Sequence, residues 1–353
     1  MTGHPRPAVA SLPAYVPGKA ASQAEAEHGI ENAIKLASNE TPWGPLPSVV
    51  EAMTQSLTDI NRYADHRAAA LRESVAGWTG VASDQVTIGC GSVGILQQLV
   101  LSYVDPGDDV VYPWRSFEIY PVFTQLAGGN SIQVPLVDEA FDLDAVAAAV
   151  TDRTKLVMLA NPNNPTGTAI AVDELRAFAE KIPSDVIIAM DEAYHEFMDP
   201  SLGDTVSSLL PDFANLIILR TFSKAQGLAA LRVGYAMAHP ELIATIDKTQ
   251  SPFSINGIAQ AAAIASIEAH DEIMQRVSEL VVERDRVASA LADRGYRLPR
   301  SEANFVWLPL GQMTGDVHLE LEKAGVVTRP FPGEGLRVTI GTAEENDRFL
   351  AAL

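Results

Sequence analysis

Seven short apolar runs recur along the middle of the chain, and several of them are separated by segments with helical periodicity. The runs occupy residues 85–89, 108–113, 131–136, 155–161, 185–192, 215–221 and 232–238. Each has the length of a strand and is apolar at most consecutive positions, which is typical of strands buried on both faces. Apolar residues at helical spacing lie between several runs, at 95–104, 142–150 and 172–181. This alternation predicts an α/β fold with a doubly wound, mainly parallel sheet.

The chain before these runs has a different pattern. Residues 1–45 are rich in proline and have little periodicity, so they predict an extended N-terminal arm that lies on another surface. Within the arm, residues 34–44 predict one short strand followed by a turn. Residues 48–57 and 67–80 then predict two helices, and a glycine ends the second one.

The pattern after residue 250 predicts a second, smaller unit. Residues 259–295 are rich in alanine and glutamate and predict one long helix that can bridge two domains. Beyond it, a strand, a helix and two strands are predicted at 304–310, 318–325, 326–330 and 336–341. We therefore expect a large α/β domain at 46–250 and a small α+β domain at 251–353, to which part of the arm at 1–45 also contributes.

Composition narrows the classes of function. The 353 residues are 47% hydrophobic and 20% charged, which excludes disorder over most of the chain. A net charge of −20 repels phosphate backbones and anionic membrane surfaces, so neither nucleic acid nor a membrane is an expected partner. The single cysteine, Cys90, excludes an intrachain disulfide framework and a multi-cysteine metal site. No signal peptide or membrane span is visible, so we expect a soluble cytoplasmic protein without a metal.

Residues 89–94 read GCGSVG, a GxGxxG motif between a predicted strand and a predicted helix. Taken alone, the motif suggests a dinucleotide site, since glycines let the backbone approach a phosphate at a helix N-terminus. The ribose-binding acid expected about twenty residues further on is missing, because the run 108–113 has acids only at its start. A single phosphate group remains compatible with this loop, and a glycine-rich turn without a ligand is the other alternative.

Three more polar clusters follow predicted strands: NPNNPTG at 161–167, DEAY at 191–194 and TFSK at 221–224. Open α/β sheets bind ligands at the carboxyl ends of their strands. Separately, the clusters have plain interpretations as a stiff turn, a helix N-cap at Asp191 and a surface lysine at Lys224. Together with the loop at 89–94 they are complementary: a phosphate loop, amides, a desolvated acid, a tyrosine and an amine nucleophile describe a pyridoxal phosphate pocket.

With these motifs in place, the chain resembles the fold-type I pyridoxal phosphate aminotransferases over nearly its whole length. The resemblance is carried, in order, by GCGSVG (89–94), NPNNPTG (161–167), DEAY (191–194), TFSKAQGLAALRVGY (221–235), ANF (303–305) and LRVTIGT (336–342). Within this group it is most similar to the histidinol-phosphate and aromatic aminotransferase branch, through YVPGK (15–19), KLASNE (35–40), NRYAD (61–65) and WRSFEIYP (114–121).

The resemblance implies roles for individual residues around the coenzyme, pyridoxal 5'-phosphate. Lys224 would form the Schiff base and then move the proton between the substrate Cα and the coenzyme carbon. Asp191 would pair with the pyridine nitrogen, while Tyr194 and Asn164 would bond to the ring hydroxyl oxygen. The other coenzyme contacts it implies are Gly91, Ser92, Val93, Phe117, Thr221, Ser223 and Arg232, with Phe117 as the stacking residue.

The resemblance also implies a substrate and a partner. Arg337, helped by Asn39, would bind the substrate α-carboxylate as a bidentate fork. Tyr63 would reach the phosphate in the neighbouring subunit, which implies a homodimer with shared active sites. Tyr15 and Phe253 would contact the substrate side chain.

Substrate choice within the branch depends on Phe253. Histidinol-phosphate enzymes often have a tyrosine at this position, and phenylalanine cannot donate a hydrogen bond to a second phosphate. We therefore expect transamination between an aromatic amino acid and a 2-oxo acid, with histidinol-phosphate aminotransferase as the alternative. Two alternative functions belong to other classes of protein. A nicotinamide dehydrogenase would give Lys224 no role. A coenzyme-bound regulator is weakened because no DNA-binding module is recognisable in this sequence.

Overall fold

The computed structural model describes residues 3–12 and 18–353. The strands of this part of the chain are β1 Ile34–Lys35, β2 Val86–Gly89, β3 Asp109–Trp114, β4 Asn130–Pro135, β5 Thr154–Ala160, β6 Ile187–Asp191, β7 Leu216–Thr221, β8 Gly234–Ala238, β9 Phe305–Leu308, β10 Val326–Val327, β11 Arg329–Phe331 and β12 Gly335–Thr339. Its α-helices are α1 Pro7–Ala10, α2 Ala21–His28, α3 Pro47–Ser56, α4 Ala69–Thr79, α5 Gly91–Tyr103, α6 Ile119–Ala127, α7 Leu143–Ala148, α8 Val172–Ala179, α9 Thr205–Leu209, α10 Pro240–Ile246, α11 Gly257–Glu268, α12 His270–Asp293, α13 Thr314–Lys323 and α14 Ala343–Ala352.

The seven predicted apolar strands form one sheet in the order β2-β8-β7-β6-β5-β3-β4. The neighbours from β7 across to β4 are paired in parallel, whereas β8 runs antiparallel to both β7 and β2. The predicted fold class, a doubly wound and mainly parallel α/β sheet, is confirmed. The parallel arrangement brings the carboxyl ends of β5, β6 and β7 to the same edge of the sheet.

Both faces of the sheet are buried along its inner strands, whereas the edge strand β4 is largely exposed. In β7, Leu216 and Ile218 belong to one hydrophobic core, while Ile217 and Leu219 belong to another on the opposite face. Successive side chains of a strand point to opposite faces, so a continuous apolar run fills two cores at once. This arrangement explains why the strands show no alternation of apolar and polar residues.

A smaller antiparallel sheet has the order β11-β12-β9. Beside it, β1 pairs in parallel with β10, and Ile34 lies opposite Val326. The N-terminal segment is therefore joined to the C-terminal part of the chain by backbone hydrogen bonds. The division into domains at residues 45 and 250 remains a prediction.

Two predicted elements differ from the structure. The arm is not extended throughout, because α1 and α2 lie within residues 1–45, and α2 follows from an alanine-rich stretch without proline. The single helix predicted at 259–295 is two helices, α11 and α12, separated at Ala269, whose ψ of 23° leaves the helical range. Neither glycine nor proline marks that break, so the residue pattern does not reveal it.

Candidate active site

The carboxyl ends of β5, β6 and β7 and the first turn of α5 surround a cavity of about 230 Å³. Most of the site residues predicted from the sequence line it: Asn39, Ser92, Val93, Phe117, Asn164, Asp191, Tyr194, Thr221, Ser223, Lys224, Arg232 and Arg337. They come from segments far apart in the chain. The sheet topology thus brings the polar clusters after separate strands into one place.

One end of the cavity is built to receive an anion. Helix α5 begins at Gly91, whose φ of 69° lies in the left-handed region, and a Cβ at this position would lie 2.6 Å from Arg232 Nη2. Arg232 Nη1 donates hydrogen bonds to Ser223 Oγ at 3.3 Å and to the Ala229 carbonyl at 2.9 Å. Thr221 Oγ1 donates to Ser223 Oγ at 3.0 Å. A helix N-terminus, hydroxyl groups and a guanidinium together favour a phosphate group.

Asp191 ends β6 and is only 3% exposed. Its Oδ2 accepts a hydrogen bond from Tyr120 Oη at 3.4 Å, whereas Oδ1 accepts none of normal geometry from the residues described. Burial raises the pKa of Asp191 to about 7. A buried carboxyl oxygen without a partner is costly, and the protonated pyridine nitrogen of pyridoxal phosphate is a donor that satisfies it. The residues present therefore fit this coenzyme.

Lys224 follows β7 and faces the same cavity. Its Nζ donates a hydrogen bond of 3.3 Å to the Ser38 carbonyl and lies 5.6 Å from the centre of the Tyr194 ring. Burial and, to a smaller extent, the positive charge of Arg337 lower the pKa of Lys224 to about 7. An amine that loses its proton near neutral pH can act as a nucleophile and as a proton acceptor.

The hydroxyl of Tyr194 is fixed by residues from both ends of the chain. Asn39 Nδ2 donates a hydrogen bond of 2.8 Å to Tyr194 Oη, and Thr339 Oγ1 in turn donates to Asn39 Oδ1 at 3.0 Å. The Tyr194 ring is 5% exposed and packs edge-on against Phe305 at 5.2 Å between centroids. The N-terminal segment therefore sets the position of a side chain that follows β6.

The asparagines of the loop after β5 make different kinds of contact. The side chain of Asn161 bonds to both backbone groups of Ile170, and Asn163 bonds to the Thr166 hydroxyl. Of the asparagines in this described loop, Asn164 alone lines the cavity, where its Oδ1 accepts a hydrogen bond from Arg337. Two asparagines thus hold the loop in shape and one is presented to a ligand.

Arg337, on β12, supplies a cation to the cavity wall. Its Nη2 donates a hydrogen bond of 2.9 Å to the Ala37 carbonyl, and its guanidinium lies 5.5 Å from the Phe305 ring centre. Arg337 is 8% exposed. A planar guanidinium held in this way suits a carboxylate, which it can bind with two parallel hydrogen bonds.

Three charged lining residues were missed by the sequence reasoning, Glu40, Glu118 and Arg329, and the last two form an ion pair. Arg329 Nη2 donates a hydrogen bond of 2.9 Å to Glu118 Oε2, and the two residues lie 211 positions apart. Glu118 stands next to Phe117 in WRSFEIYP, and Arg329 begins β11. Their pairing depends on packing between distant segments, so no local pattern could have revealed it.

Two of the predicted site residues, Tyr63 and Phe253, lie outside the described lining of the cavity. Tyr63 and Phe253 stack on each other with ring centroids 4.5 Å apart, and they are 83% and 45% exposed. The structure does not bring them to the described lining of this chain's cavity, because Tyr63 lies between α3 and α4 and Phe253 in the turn before α11, both at the surface. Tyr15 lies outside the described residues.

Neither a membrane-spanning helix nor a metal-binding cluster occurs in the described part of the chain. None of the helices there is both long and apolar enough to cross a membrane. In the same part of the chain, no group of three or more histidine, cysteine, aspartate or glutamate side chains is arranged to hold a metal ion.

Comparison with known sequences gives relatives over nearly the whole chain. A family model described as aminotransferase class I and II matches residues 31–353. The chain is 49% identical over 346 residues to the aromatic amino acid aminotransferase of Thermobifida fusca (strain YX), covering 98% of this chain and 95% of that protein. It is 47% identical over 352 residues to a protein of the same name from Mycobacterium tuberculosis (strain ATCC 25177 / H37Ra), covering 99% and 97%.

Comparison with solved structures gives the same fold. The histidinol-phosphate aminotransferase of Sinorhizobium meliloti, in complex with pyridoxal 5'-phosphate, matches with a TM-score of 0.91 and 31% identity, over 100% of this chain and 97% of that one. A mutant of Thermus thermophilus aspartate aminotransferase matches in fold, with a TM-score of 0.84 and 23% identity over the full length of both chains. These matches confirm the predicted enzyme class and its coenzyme, pyridoxal 5'-phosphate. The chain belongs to the class I and II aminotransferase family.

Proposed function

We propose that this aminotransferase transfers the amino group of phenylalanine or tyrosine to a 2-oxo acid such as 2-oxoglutarate, in a ping-pong cycle. The observation that carries the proposal is that Lys224, Asp191 and Arg337 line a single cavity. Relatives with up to 49% identity that are named aromatic amino acid aminotransferases support the choice of donor.

The coenzyme, when bound, supplies a ring that takes up the electron pair left at the substrate Cα. Asp191 keeps the pyridine nitrogen protonated by placing a negative charge beside it. Tyr194 and Asn164 offer hydrogen bonds to the ring oxygen. The phosphate contacts and the stacking contact are assigned to Gly91, Ser92, Val93, Phe117, Thr221, Ser223 and Arg232.

Proton movement at the substrate is assigned to Lys224. Because its pKa is lowered to about 7, a large fraction of the amine is neutral at physiological pH and can accept the proton from Cα. Arg337, helped by Asn39, holds the α-carboxylate and so fixes the direction of the Cα–H bond relative to Lys224. With the α-carboxylate bound by Arg337, the substrate side chain contacts a different part of the cavity, and that part determines which side chain is accepted.

An aromatic side chain finds suitable contacts in this cavity. Phe117 lines the wall and packs edge-on against Tyr120 at 5.8 Å between centroids. Each aromatic pair adds about 0.5–1.5 kcal/mol beyond simple burial. Tyr15 and Phe253 are proposed as further contacts to the substrate side chain.

Histidinol phosphate is the second candidate donor. One observation favours it: Arg329 gives the cavity a cation besides Lys224, Arg232 and Arg337, and a substrate phosphate needs such a group. The Sinorhizobium meliloti structure, whose name gives histidinol phosphate as its substrate, is 31% identical. We rank this candidate second because Glu118 already neutralises Arg329.

The assembly and location follow from other features. We propose a homodimer in which Tyr63 contributes to the cavity of the neighbouring subunit, which is supported by its 83% exposure. We propose a cytoplasmic location because a lone cysteine suits a reducing compartment. The net charge of −20 is the reason to propose no nucleic acid partner.

The test is amino transfer by the purified holoenzyme. Phenylalanine and 2-oxoglutarate should give phenylpyruvate and glutamate in equal amounts, and the Lys224→Ala variant should give neither. The proposal fails if the wild-type enzyme consumes histidinol phosphate but no aromatic amino acid.

A further inference from the structure

Glu118 and Arg329 form an ion pair whose two members differ in their access to water. The Arg329 side chain is 13% exposed, whereas the Glu118 side chain is 37% exposed. Arg329 also packs against an aromatic ring, because its guanidinium lies 5.7 Å from the ring centre of Phe331. Phe331 is itself only 3% exposed. The arginine is thus fixed in the cavity wall, while the glutamate reaches solvent.

We propose that Glu118 is a specificity-determining residue, acting as a removable counter-ion of Arg329. This inference rests on the proposed function, in which one cavity must accept both an aromatic amino acid and a dicarboxylic 2-oxo acid. An uncharged aromatic side chain leaves the pair intact. A side chain with a second carboxylate replaces Glu118 as the partner of Arg329. An aromatic side chain therefore contacts a neutral ion pair, and a carboxylate side chain contacts a positive charge.

Once displaced from Arg329, the Glu118 carboxylate is stabilised by its position on a helix and by water. Glu118 stands at the N-cap position of α6, where the positive end of the helix dipole stabilises a negative charge. Its exposure lets water solvate the released carboxylate, so the exchange costs little. By contrast, removing the charge of Glu118 from the mostly buried Arg329 with nothing in its place would be unfavourable. Glu118 therefore favours aromatic substrates and weakens the binding of dicarboxylates.

The test compares Glu118→Gln with a matched control, Glu334→Gln. Glu334 is 38% exposed and pairs with Arg115, and neither residue is in the described lining of the cavity. Dissociation constants of two unreactive acids, glutarate and 3-phenylpropionate, are measured on each holoenzyme by calorimetry. The kcat/KM values for glutamate and phenylalanine are measured alongside as the catalytic readout.

Removing the charge of Glu118 should lower the dissociation constant of glutarate, relative to that of 3-phenylpropionate, by at least about threefold. This is the scale of one partly exposed ion pair. The ratio of kcat/KM for glutamate over phenylalanine should rise in the same direction. In Glu334→Gln both ratios should stay as in the wild type. In an Arg329→Gln background, the substitution Glu118→Gln should have no further effect on the ratio, since the two residues act as a pair.

A smaller change in Glu118→Gln, or an equal change in Glu334→Gln, would overturn the inference. Failure of the proposed function is a separate result, because it is read from the wild-type enzyme alone as an inability to use aromatic amino acids.

Discussion

Tyr63 stacks on Phe253 with ring centroids 4.5 Å apart, and both rings lie on the surface of the chain rather than in its cavity. His66 adds a third ring, 5.4 Å from Phe253. Exposed aromatic side chains that cluster in this way are typical of protein interfaces. Because the two rings are in contact, a subunit that receives Tyr63 at its cavity would also receive Phe253. The stack therefore supports the proposal of shared active sites.

Shared sites predict that two inactive variants can complement each other. Lys224→Ala lacks the reacting amine, and Tyr63→Ala lacks the residue assigned to the neighbouring cavity. In a mixed dimer, one of the two cavities has both groups intact, so mixing the variants should restore part of the activity. Amino transfer from phenylalanine, measured after subunit exchange, checks this.

The control for that experiment is a mixture of Lys224→Ala with Lys224→Arg, in which no cavity is intact and activity should stay absent. If exchange of subunits is demonstrated and the first mixture also stays inactive, the sites are self-contained.

Gly91→Ala should weaken coenzyme binding. The new Cβ would lie 2.6 Å from Arg232 Nη2, so the arginine must leave the position from which it faces the phosphate end of the cavity. Gly80→Ala is the matched control, since Gly80 has a similar φ of 77° but open space around the added Cβ. Both variants carry backbone strain, while only Gly91→Ala disturbs Arg232.

Titration of the apoenzyme with pyridoxal phosphate separates the two effects. We expect the coenzyme dissociation constant to rise about tenfold or more in Gly91→Ala, the scale of one charge-assisted contact. Gly80→Ala should lower the melting temperature and leave that constant unchanged. Equal coenzyme affinity in the two variants would remove Arg232 from the phosphate site.

Asp191→Ala should reduce turnover by about a hundredfold or more, as expected for loss of one preorganised electrostatic partner. Asp191→Asn should be similarly impaired, because it keeps the shape of the side chain but not its charge. The structure also excludes the interpretation of Asp191 as a helix cap, since the short helix His195–Phe197 that follows has Tyr194 at its N-cap. Turnover within twofold of the wild type would mean that the charge has no role.

The lowered pKa of Lys224 predicts how coenzyme capture depends on pH. Below pH 7 the amine is mostly protonated and cannot attack a carbonyl group, and above pH 7 it is mostly neutral. The rate at which the apoenzyme captures pyridoxal phosphate, trapped with borohydride, should therefore rise with a midpoint near pH 7. Lys224→Ala should trap none at this position, as judged by peptide mass. A midpoint near the ordinary lysine pKa of about 10.4 would contradict the role of burial.

Much of the fold could be predicted because most of the sheet is buried on both faces. Its inner strands, such as β5, β6 and β7, are largely apolar runs, and polar residues such as Asp191 and Lys224 stand where those runs end. The break at Ala269 could not be predicted, since an alanine carries no stop signal. Helix α2 was missed because the prolines around it dominate the composition of the N-terminal segment.

Part of the candidate site could also be predicted from the sequence. Residues that follow strands, such as Asn164 and Asp191, lie together because parallel strands end at one edge of a sheet. Glu118 and Arg329 meet only through packing of β11 against the start of α6, and nothing local marks their pairing. Tyr63 and Phe253 were assigned to the active site by resemblance, whereas a single chain has both at its surface.

The most direct test of the account is a comparison of kcat/KM for phenylalanine and for histidinol phosphate, with the same 2-oxo acid and the wild-type holoenzyme. Aromatic contacts at Phe117 and the neutralised Arg329 predict a higher value for phenylalanine. A preference for histidinol phosphate of about tenfold or more, equivalent to about 1.4 kcal/mol of transition-state binding, would contradict it.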